Sequence, residues 1–215
     1  MNEYYQQRAP VYDRVYSYPE RQDDLRELEQ YIPAQFSDLD IIEVAAGTGY
    51  WTQFISKKAR SILSTDITPE ALVQINRRTG DMQNVTTRIV DAYSLGSVEL
   101  SATRKFNGAF AGLWYSHIPV REIPKFYQSL HGCLTPGATV VFIDNSSAQC
   151  DRLPLSHTDQ HGNTYQDRKL DDGTVHRVLK NFPTETQLIE SASSYGENFI
   201  YVEYQNFWLF QYTVV

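Results

Sequence analysis

The sequence has little cysteine, no long apolar run and no cluster of basic residues, and each shortage excludes a class of protein. Two cysteines among 215 residues argue against a disulfide framework or a zinc cluster. No stretch approaches the roughly 18 apolar residues that a membrane-spanning helix needs. The polar start MNEYYQQR does not read as a signal peptide. A net charge of −7 without a Lys/Arg run argues against nucleic-acid or membrane partners, and we expect a cytoplasmic protein.

The chain length fits one domain. At 215 residues it is long enough to bury a sizeable core, and it shows neither a repeat nor a composition shift that would mark a second domain. We therefore predict a single domain over residues 1–215. The sequence leaves a homodimer open.

A glycine turn between a strand and a helix is the most informative stretch of the chain. Residues 41–55 read IIEVAAGTGYWTQFI, in which a short apolar run precedes Gly47 and Gly49 and a helix follows. Glycines at such a turn allow a ligand to approach the main chain closely. A second strand, 61–65, ends at Asp66, about 20 residues after the turn, where a Rossmann-type fold hydrogen-bonds a ribose. A turn that binds no ligand is the plain alternative.

The turn lacks the third glycine of a dinucleotide site. Thr52 occupies that position, and the bulky residues Tyr50 and Trp51 lie inside the turn. A pyrophosphate needs close contact with the backbone at the helix start, so this turn favours a nucleoside without phosphate over a nicotinamide cofactor.

The pattern E-x-A-x-G-T-G, here residues 43–49, resembles motif I of the class I S-adenosylmethionine (SAM)-dependent methyltransferases. With G-T-G-Y-W-T, the chain looks similar to their small-molecule branch, which includes the O-methyltransferase of dehydrophos (phosphonate) biosynthesis. The resemblance implies an α/β, Rossmann-like sheet of seven strands with an antiparallel last strand. It also implies an N-terminal helical lid over residues 1–33 and a β-hairpin inserted over the active site at residues 146–181. SAM would be the cofactor and S-adenosylhomocysteine (SAH) its product.

The resemblance assigns SAM to the lid and to the ends of the first four strands. Asp66 would hydrogen-bond the ribose, and Asp91 would hydrogen-bond the exocyclic amine of the adenine. Alternatively, Asp66 caps a helix and Asp91 is a solvated loop acid. Aromatic faces suit a sulfonium and an adenine ring. The expected cofactor residues are Tyr4, Tyr12, Glu43, Ala45, Gly47, Gly49, Tyr50, Trp51, Thr52, Asp66, Ile67, Asp91, Ala92, Leu113 and Trp114.

The segment after the fourth strand, residues 114–117 (WYSH), bears on the acceptor. Methyltransferases that act on exocyclic amines of DNA bases or on protein glutamine resemble one another in an [N/D]-P-P-[Y/F] at this point, and its absence here argues against that class. We expect Trp114 and Tyr115 to line the methyl-transfer pocket with His117 at its floor. His117 can act there as a general base, or it can hydrogen-bond the backbone or the SAM carboxylate.

A hairpin is predicted at residues 163–170 and 174–181, turned by Asp171-Asp172-Gly173. With a three-residue loop, Arg168 and His176 lie opposite each other and Lys180 shares their face. A two-residue loop instead groups Tyr165, Lys169, His176 and Lys180.

Either register places cations over the pocket mouth, and arginine is well shaped for a carboxylate or a phosphonate. A solvated hairpin face is the plain alternative.

Asp144-Asn145, after the fifth strand, resembles two ligands of the catechol-type, magnesium-dependent O-methyltransferases. Those enzymes need a further aspartate at the end of the fourth strand, where this chain has Gly112 and Leu113. We therefore predict no metal, with Asn145 as a hydrogen-bonding residue of the pocket.

The sequence thus predicts methyl transfer from SAM to a small-molecule acceptor, at an anionic (carboxylate or phosphonate) or hydroxyl oxygen. The candidate residues on the acceptor side are His117, Arg168, His176, Lys180 and Tyr115. Two alternatives remain at this level. One is a SAM-consuming cyclase or lyase that releases methylthioadenosine, and the other is a non-catalytic SAM-binding module.

Overall fold

The computed structural model describes residues 9–80, 82–97, 105–170 and 172–215, with the backbone alone for residues 9–12. Its α-helices are α1 (Gln22–Gln35), α2 (Thr52–Ile55), α3 (Pro69–Thr79), α4 (Ile123–His131), α5 (Gln149–Arg152) and α6 (Glu185–Ala192). Its strands are β1 (Asp40–Val44), β2 (Ser61–Asp66), β3 (Val85–Ile89), β4 (Phe106–Gly112), β5 (Leu134–Asn145), β6 (His157–Thr158), β7 (Thr164–Lys169), β8 (Val175–Leu179), β9 (Gly196–Glu203) and β10 (Phe207–Val214). Short 3-10 helices cover Ala9–Tyr16, Pro19–Arg21, Leu95–Ser97, Tyr115–His117 and Val120–Glu122.

Seven strands form one sheet in the order β3-β2-β1-β4-β5-β10-β9. The first five are parallel, and β10 runs antiparallel to both β5 and β9. This confirms the predicted Rossmann-like sheet with its antiparallel last strand. The strand order reverses between β1 and β4, which opens a crevice at their carboxyl ends.

Side chains alternate between the two faces of the sheet. Ile41 packs with Leu28 and Ile55 on the face covered by α1 and α2. Its neighbour Ile42 packs with Phe126 on the opposite face, which α4 and α6 cover. Because parallel strands are covered on both sides, their sequences read as continuous apolar runs, which made β1 recognisable.

Residues 9–21, which precede α1 and are called the N-terminal segment below, are fixed to the glycine turn. The Tyr16 ring stacks on the Tyr50 ring with 3.5 Å between centroids. Asp13 accepts a hydrogen bond from the Thr48 hydroxyl and forms an ion pair with Arg78.

Two of the predicted cofactor residues, Tyr4 and Tyr12, lie before or at the start of that segment. Tyr4 lies outside the described residues, and only the backbone of Tyr12 is described, as part of the 3-10 helix Ala9–Tyr16.

The insertion after β5 is a three-stranded sheet in the order β6-β7-β8, so it has one strand more than the predicted hairpin. Strand β6 has only two residues, too few for an alternating pattern in the sequence. In the β7–β8 pair, Arg168 lies opposite His176 and Lys169 opposite Val175. This is the register of the three-residue loop.

None of the helices within the described part of the chain is both long and apolar enough to span a bilayer.

Candidate functional site

A cavity of about 470 Å³ lies at the carboxyl ends of the parallel strands, where the strand order reverses. We call it the first cavity. It is lined by Ala45, Gly47, Thr48, Asp66, Ile67, Thr68, Ala71, Val90, Asp91, Ala92, Tyr93, Leu113, Trp114, His117, Pro119, Glu122 and Lys125.

Unusual backbone conformations surround this cavity. Ala45 and Leu113, which follow β1 and β4, have φ angles of 50° and 56°, in the left-handed region that non-glycine residues rarely occupy. Gly49 has a φ of 77°, and a Cβ there would lie 3.1 Å from the Cα of Ile75. The turn therefore requires glycine at 49. Left-handed backbone angles at non-glycine residues, as at Ala45 and Leu113, tend to cluster at ligand sites.

Asp66 lies at the end of β2 and faces the first cavity. Its Oδ2 accepts the Gly47 backbone N–H at 2.9 Å. Its Oδ1 accepts the Thr68 backbone N–H at 2.9 Å and the Thr68 hydroxyl at 2.8 Å. A carboxylate offers about four acceptor positions, and three are used here, so one position, on Oδ2, remains for a ribose hydroxyl of an adenosine.

The opposite part of the first cavity suits a flat heterocycle. Ile67 is 48% exposed, which is unusual for a large apolar side chain, and it lines the cavity. Asp91 Oδ1 accepts the Tyr93 backbone N–H at 2.9 Å, which fixes the turn after β3. The Tyr93 ring meets the Trp114 ring edge-on with 6.5 Å between centroids. Apolar surface beside a carboxylate is what an adenine ring with an exocyclic amine would use.

The other predicted cofactor residues lie behind the glycine turn. Glu43 is 1% exposed, and its Oε2 accepts the hydroxyls of Thr52 at 2.6 Å and Ser64 at 2.7 Å. Burial raises the pKa of Glu43 to about 7. Tyr50 donates its hydroxyl to Glu29, and Trp51 is buried. A narrow recess beside the first cavity is lined by Tyr16, Glu43, Ala45, Ala46, Gly47, Thr48, Trp51 and Gly112.

A second cavity of about 410 Å³ shares two wall residues, Leu113 and His117, with the first. We call it the second cavity. Its remaining lining residues are Val15, Tyr18, Glu20, Arg21, Asn145, Ala148, Gln149, Asp151, Arg152, Leu153, Arg168, Lys180, Gln205 and Asn206. A ligand in each cavity would therefore meet the other at Leu113 and His117.

Lys180 is fixed at the back of the second cavity. Its Nζ donates to Asp144 Oδ1 at 2.6 Å and to the Ser116 hydroxyl at 2.7 Å. Burial lowers the pKa of Lys180 to about 8, which the Asp144 carboxylate opposes. Asn145 also lines this cavity, as predicted for a pocket residue, and its side-chain amide donates to Asp144.

His117 lies at the junction of the two cavities and is 5% exposed. Its Nδ1 lies 2.6 Å from the carbonyl oxygen of Leu179, and since a carbonyl only accepts, Nδ1 carries the proton. Burial, and then the charges of Lys180 and Arg168, lower the pKa of His117 to about 3. The imidazole is therefore neutral at physiological pH, with Nε2 as its acceptor nitrogen.

The predicted acceptor-side residues do not all come together. Arg168 lines the second cavity with Lys180, and its guanidinium donates to Gln166 Oε1 at 2.9 Å. His176 faces Arg168 across the hairpin but lies outside the lining of both cavities. Tyr115 is 3% exposed, packs in the core and donates to the Ser191 hydroxyl at 3.3 Å.

Several lining residues escaped sequence reasoning. Tyr93 directly follows the predicted Asp91-Ala92 pair, so the strand end itself was a usable signal. Arg21 and Arg152 belong to segments far apart in the chain, and no local pattern points from them to the cavity.

Within the described ranges, no group of three or more His, Cys, Asp or Glu residues is arranged to hold a metal ion.

Comparison with known proteins agrees with this architecture. Residues 41–137 match the family model described as a methyltransferase domain. No curated protein sequence matches the chain. A structure of DhpI in complex with SAH is similar over 99% of this chain and 94% of that one, with a TM-score of 0.77 and 23% identity.

Two further structures share the fold. The N-methyltransferase NodS from Bradyrhizobium japonicum WM9, in complex with SAH, matches 99% of this chain and 97% of its own, with a TM-score of 0.67 and 14% identity. CalS10, an amino pentose methyltransferase from Micromonospora echinaspora, matches 94% of this chain and 97% of its own, with a TM-score of 0.61 and 14% identity.

Proposed function

We propose that the chain is a class I, SAM-dependent methyltransferase and that it methylates an anionic oxygen, a carboxylate or a phosphonate, of a small-molecule acceptor. The observation that carries the proposal is the charge of the second cavity. Four cationic side chains line it, against two carboxylates, in a chain whose net charge is −7. A cationic cavity in an acidic protein concentrates anions locally.

The first cavity is the proposed SAM site. Asp66 would accept a hydrogen bond from a ribose hydroxyl and Asp91 one from the adenine amine, while Ile67 and Trp114 would cover the rings. Bound SAM supplies an electrophilic methyl group on a sulfonium, which an acceptor oxygen takes by in-line displacement. Leu113 and His117 line both cavities. The methyl group of SAM and the acceptor oxygen would therefore meet beside these two residues.

On the acceptor side, Arg168 and Lys180 would orient the anion. Both are almost fully buried, so the charge of an acceptor is screened little by water and the geometry is held by the surrounding hydrogen bonds. Positioning and water exclusion are the main contributions that such a displacement asks of a protein. The buried, hydrogen-bonded cations Arg168 and Lys180 are suited to this positioning role.

The protonation state of His117 supports an acceptor that is already anionic. A hydroxyl or amine acceptor must lose a proton, and an effective general base has a pKa near the working pH. Burial and two neighbouring cations hold the pKa of His117 far below that range. A carboxylate or phosphonate oxygen needs no base. His117 would then shape the junction of the cavities and hold the hairpin through Leu179.

Mass spectrometry of the purified protein, incubated with trideuteromethyl-labelled SAM and an extract of its host, tests the proposal. We expect SAH together with a labelled product whose acceptor has lost one negative charge, because esterification removes that charge. The variant Asp66→Asn is the control, because weak SAM binding should suppress the product.

Two outcomes would contradict the proposal. A labelled product from an uncharged acceptor would exclude the anionic class. Methylthioadenosine formed from SAM alone, above the level without enzyme, would mean that SAM itself is the substrate.

A further inference from the structure

Arg21 is a buried cation at the start of helix α1 that no sequence motif singled out. It ends the 3-10 turn Pro19–Arg21, is 4% exposed and lines the second cavity. Its place in the N-terminal segment is well defined. Next to it, Gln22 donates to the carbonyl oxygens of Tyr16 at 2.9 Å and Tyr18 at 3.0 Å.

The same segment is attached to the turn between β9 and β10. Asp24 Oδ2 accepts the Asn206 backbone N–H at 2.7 Å, and the Asn206 side chain donates to the carbonyl oxygen of Glu20 at 2.8 Å. These contacts leave Arg21 little freedom to turn away from the cavity.

The guanidinium of Arg21 is held mainly by rings. Its Cζ lies 5.5 Å from the centroid of the Tyr18 ring and 5.2 Å from that of the Phe207 ring. Its Nη1 donates a long hydrogen bond of 3.4 Å to the carbonyl oxygen of Val15. Contacts of this kind fix the plane of a guanidinium and leave most of its five donors for another partner.

Arg21 forms no ion pair with a carboxylate of the described residues, although the charge of Glu20 acts on it from a longer distance. In the same cavity, Lys180 pairs with Asp144 at 2.6 Å and Arg152 pairs with Glu20 at 2.9 Å. No described carboxylate lies within 4.0 Å of Arg21. Burial lowers the pKa of Arg21, although a guanidinium remains protonated in proteins. A buried cation normally has an anionic partner, because water no longer stabilises it.

We propose that Arg21 binds the anionic group of the acceptor and is a specificity-determining residue. This rests on the proposed function, which assigns the second cavity to the acceptor. The planar guanidinium matches two oxygens of a carboxylate or a phosphonate. Because Arg21 belongs to the N-terminal segment, the acceptor charge is recognised by the same segment that contacts the glycine turn through Tyr16 and Asp13.

Titration calorimetry of the SAH-saturated protein tests this without requiring methyl transfer. The probes are ethylphosphonate and propionate, which distinguish a phosphonate from a carboxylate preference. We expect Arg21→Gln to raise the Kd of the preferred anion at least tenfold and Arg21→Lys to raise it severalfold. Arg26→Gln is the matched control, since Arg26 is an exposed arginine of the adjoining helix α1 that pairs with Asp23. It should bind like the wild type.

A second readout separates binding from a structural role. Either anion should raise the Tm of the SAH complex of the wild type and of Arg26→Gln, but not that of Arg21→Gln. SAH affinity should be equal in all three and confirms that they are folded. If Arg21→Gln does not fold, Arg21→Lys decides, and a wild-type Kd in that variant would overturn the proposal.

Four results identify which idea fails. Equal anion affinities for wild type, Arg21→Gln and Arg26→Gln would overturn the role of Arg21, and so would a wild type that binds neither anion. Methylation of an anionic acceptor with an unchanged KM in Arg21→Gln would overturn Arg21 alone. Anion binding that depends on Arg21, without any methylated product, would support the anion-binding role of Arg21 and contradict the proposed methyl transfer.

Discussion

Lys180 and Asp144 form an ion pair in the protein interior, with 2.6 Å between Nζ and Oδ1 and side chains that are 1% and 0% exposed. Asp144 also accepts the Ser116 backbone N–H at 2.9 Å, and the Asn181 backbone N–H donates to the Ser116 carbonyl oxygen at 2.8 Å. The pair therefore connects the end of β5, the segment after β4 and the end of the inserted sheet. It fixes one wall of the second cavity to the parallel sheet.

Replacing Asp144 with asparagine should destabilise the fold strongly. The substitution keeps the shape of the side chain but leaves the Lys180 ammonium buried without its counter-charge. Removing one partner of a buried pair typically costs about 3 to 5 kcal/mol. Urea denaturation of Asp144→Asn measures the loss.

The exposed pair of Arg177 with Asp167 is the control, since its side chains are 55% and 36% exposed. We expect Asp167→Asn to cost far less stability than Asp144→Asn, because exposed ion pairs are weakened by solvent and contribute little. Equal losses in the two variants would show that the buried pair contributes no more than a surface contact.

The first two strands were predictable from the sequence because their signals are local. Residues 41–45 form an apolar run, and Asp66 ends the next strand at the spacing typical of a ribose-binding acid. The partner of Asp144 was not predictable. The pair Asp144-Asn145 resembled metal ligands, whereas its carboxylate is bound to Lys180, 36 residues later in the chain. Only the folded insertion brings these two charges together.

The hairpin register shows the same limit. Two loop lengths are compatible with the sequence, and only the structure shows that Arg168 pairs with His176. The role of Arg21 was still less accessible from the sequence, since the cavity that it lines is completed by β5, α5, β7 and the β9–β10 turn. A residue whose neighbours come from so many segments leaves no local sequence pattern.

Glu43 should make the stability of the protein depend on pH. Its folded pKa of about 7 lies above its ordinary value of 4.5, so the folded state keeps a proton that the unfolded state has lost. This stabilisation is fully present below pH 4.5 and is lost as the pH rises through 7. The shift corresponds to about 3 kcal/mol.

Glu43→Gln should remove this dependence, because an amide oxygen can still accept the hydroxyls of Thr52 and Ser64. Urea denaturation at pH 5 and pH 8 gives the comparison. The wild type should lose more free energy of unfolding between these pH values than the variant does. Parallel losses in both proteins would show that Glu43 is ionised at neutral pH.

Asp66 should govern affinity for the nucleoside. Asp66→Asn removes the charged acceptor of a ribose hydroxyl and weakens the bond from the Gly47 N–H. Hydrogen bonds to charged groups contribute about 1.5 to 3 kcal/mol each, so the Kd of SAH should rise at least tenfold. Titration calorimetry with SAH measures it. Glu70→Gln, an exposed acid on α3 outside the cavity lining, should leave the Kd unchanged. A similar Kd in both variants would place the ribose elsewhere.

The pH profile of methyl transfer should distinguish a neutral His117 from a general base. Because its pKa is held near 3, His117 carries no charge between pH 5 and pH 8, and kcat/KM for an anionic acceptor should show no acid limb from this residue. Above pH 8, deprotonation of Lys180 should raise KM with little change in kcat, since Lys180 would bind the acceptor.

His117→Gln then decides between the two roles. An amide can still donate to the Leu179 carbonyl oxygen, so kcat should fall less than about tenfold, whereas loss of a general base typically costs about 10²- to 10⁴-fold. His131→Gln is the control, since His131 is bonded to the Tyr212 hydroxyl and lies outside both cavity linings. An acid limb near pH 6.5 that is present in the wild type and in His131→Gln, and disappears only in His117→Gln, would establish His117 as the base. It would also favour a hydroxyl over an acidic acceptor, because only the hydroxyl has a proton that must be removed at that pH.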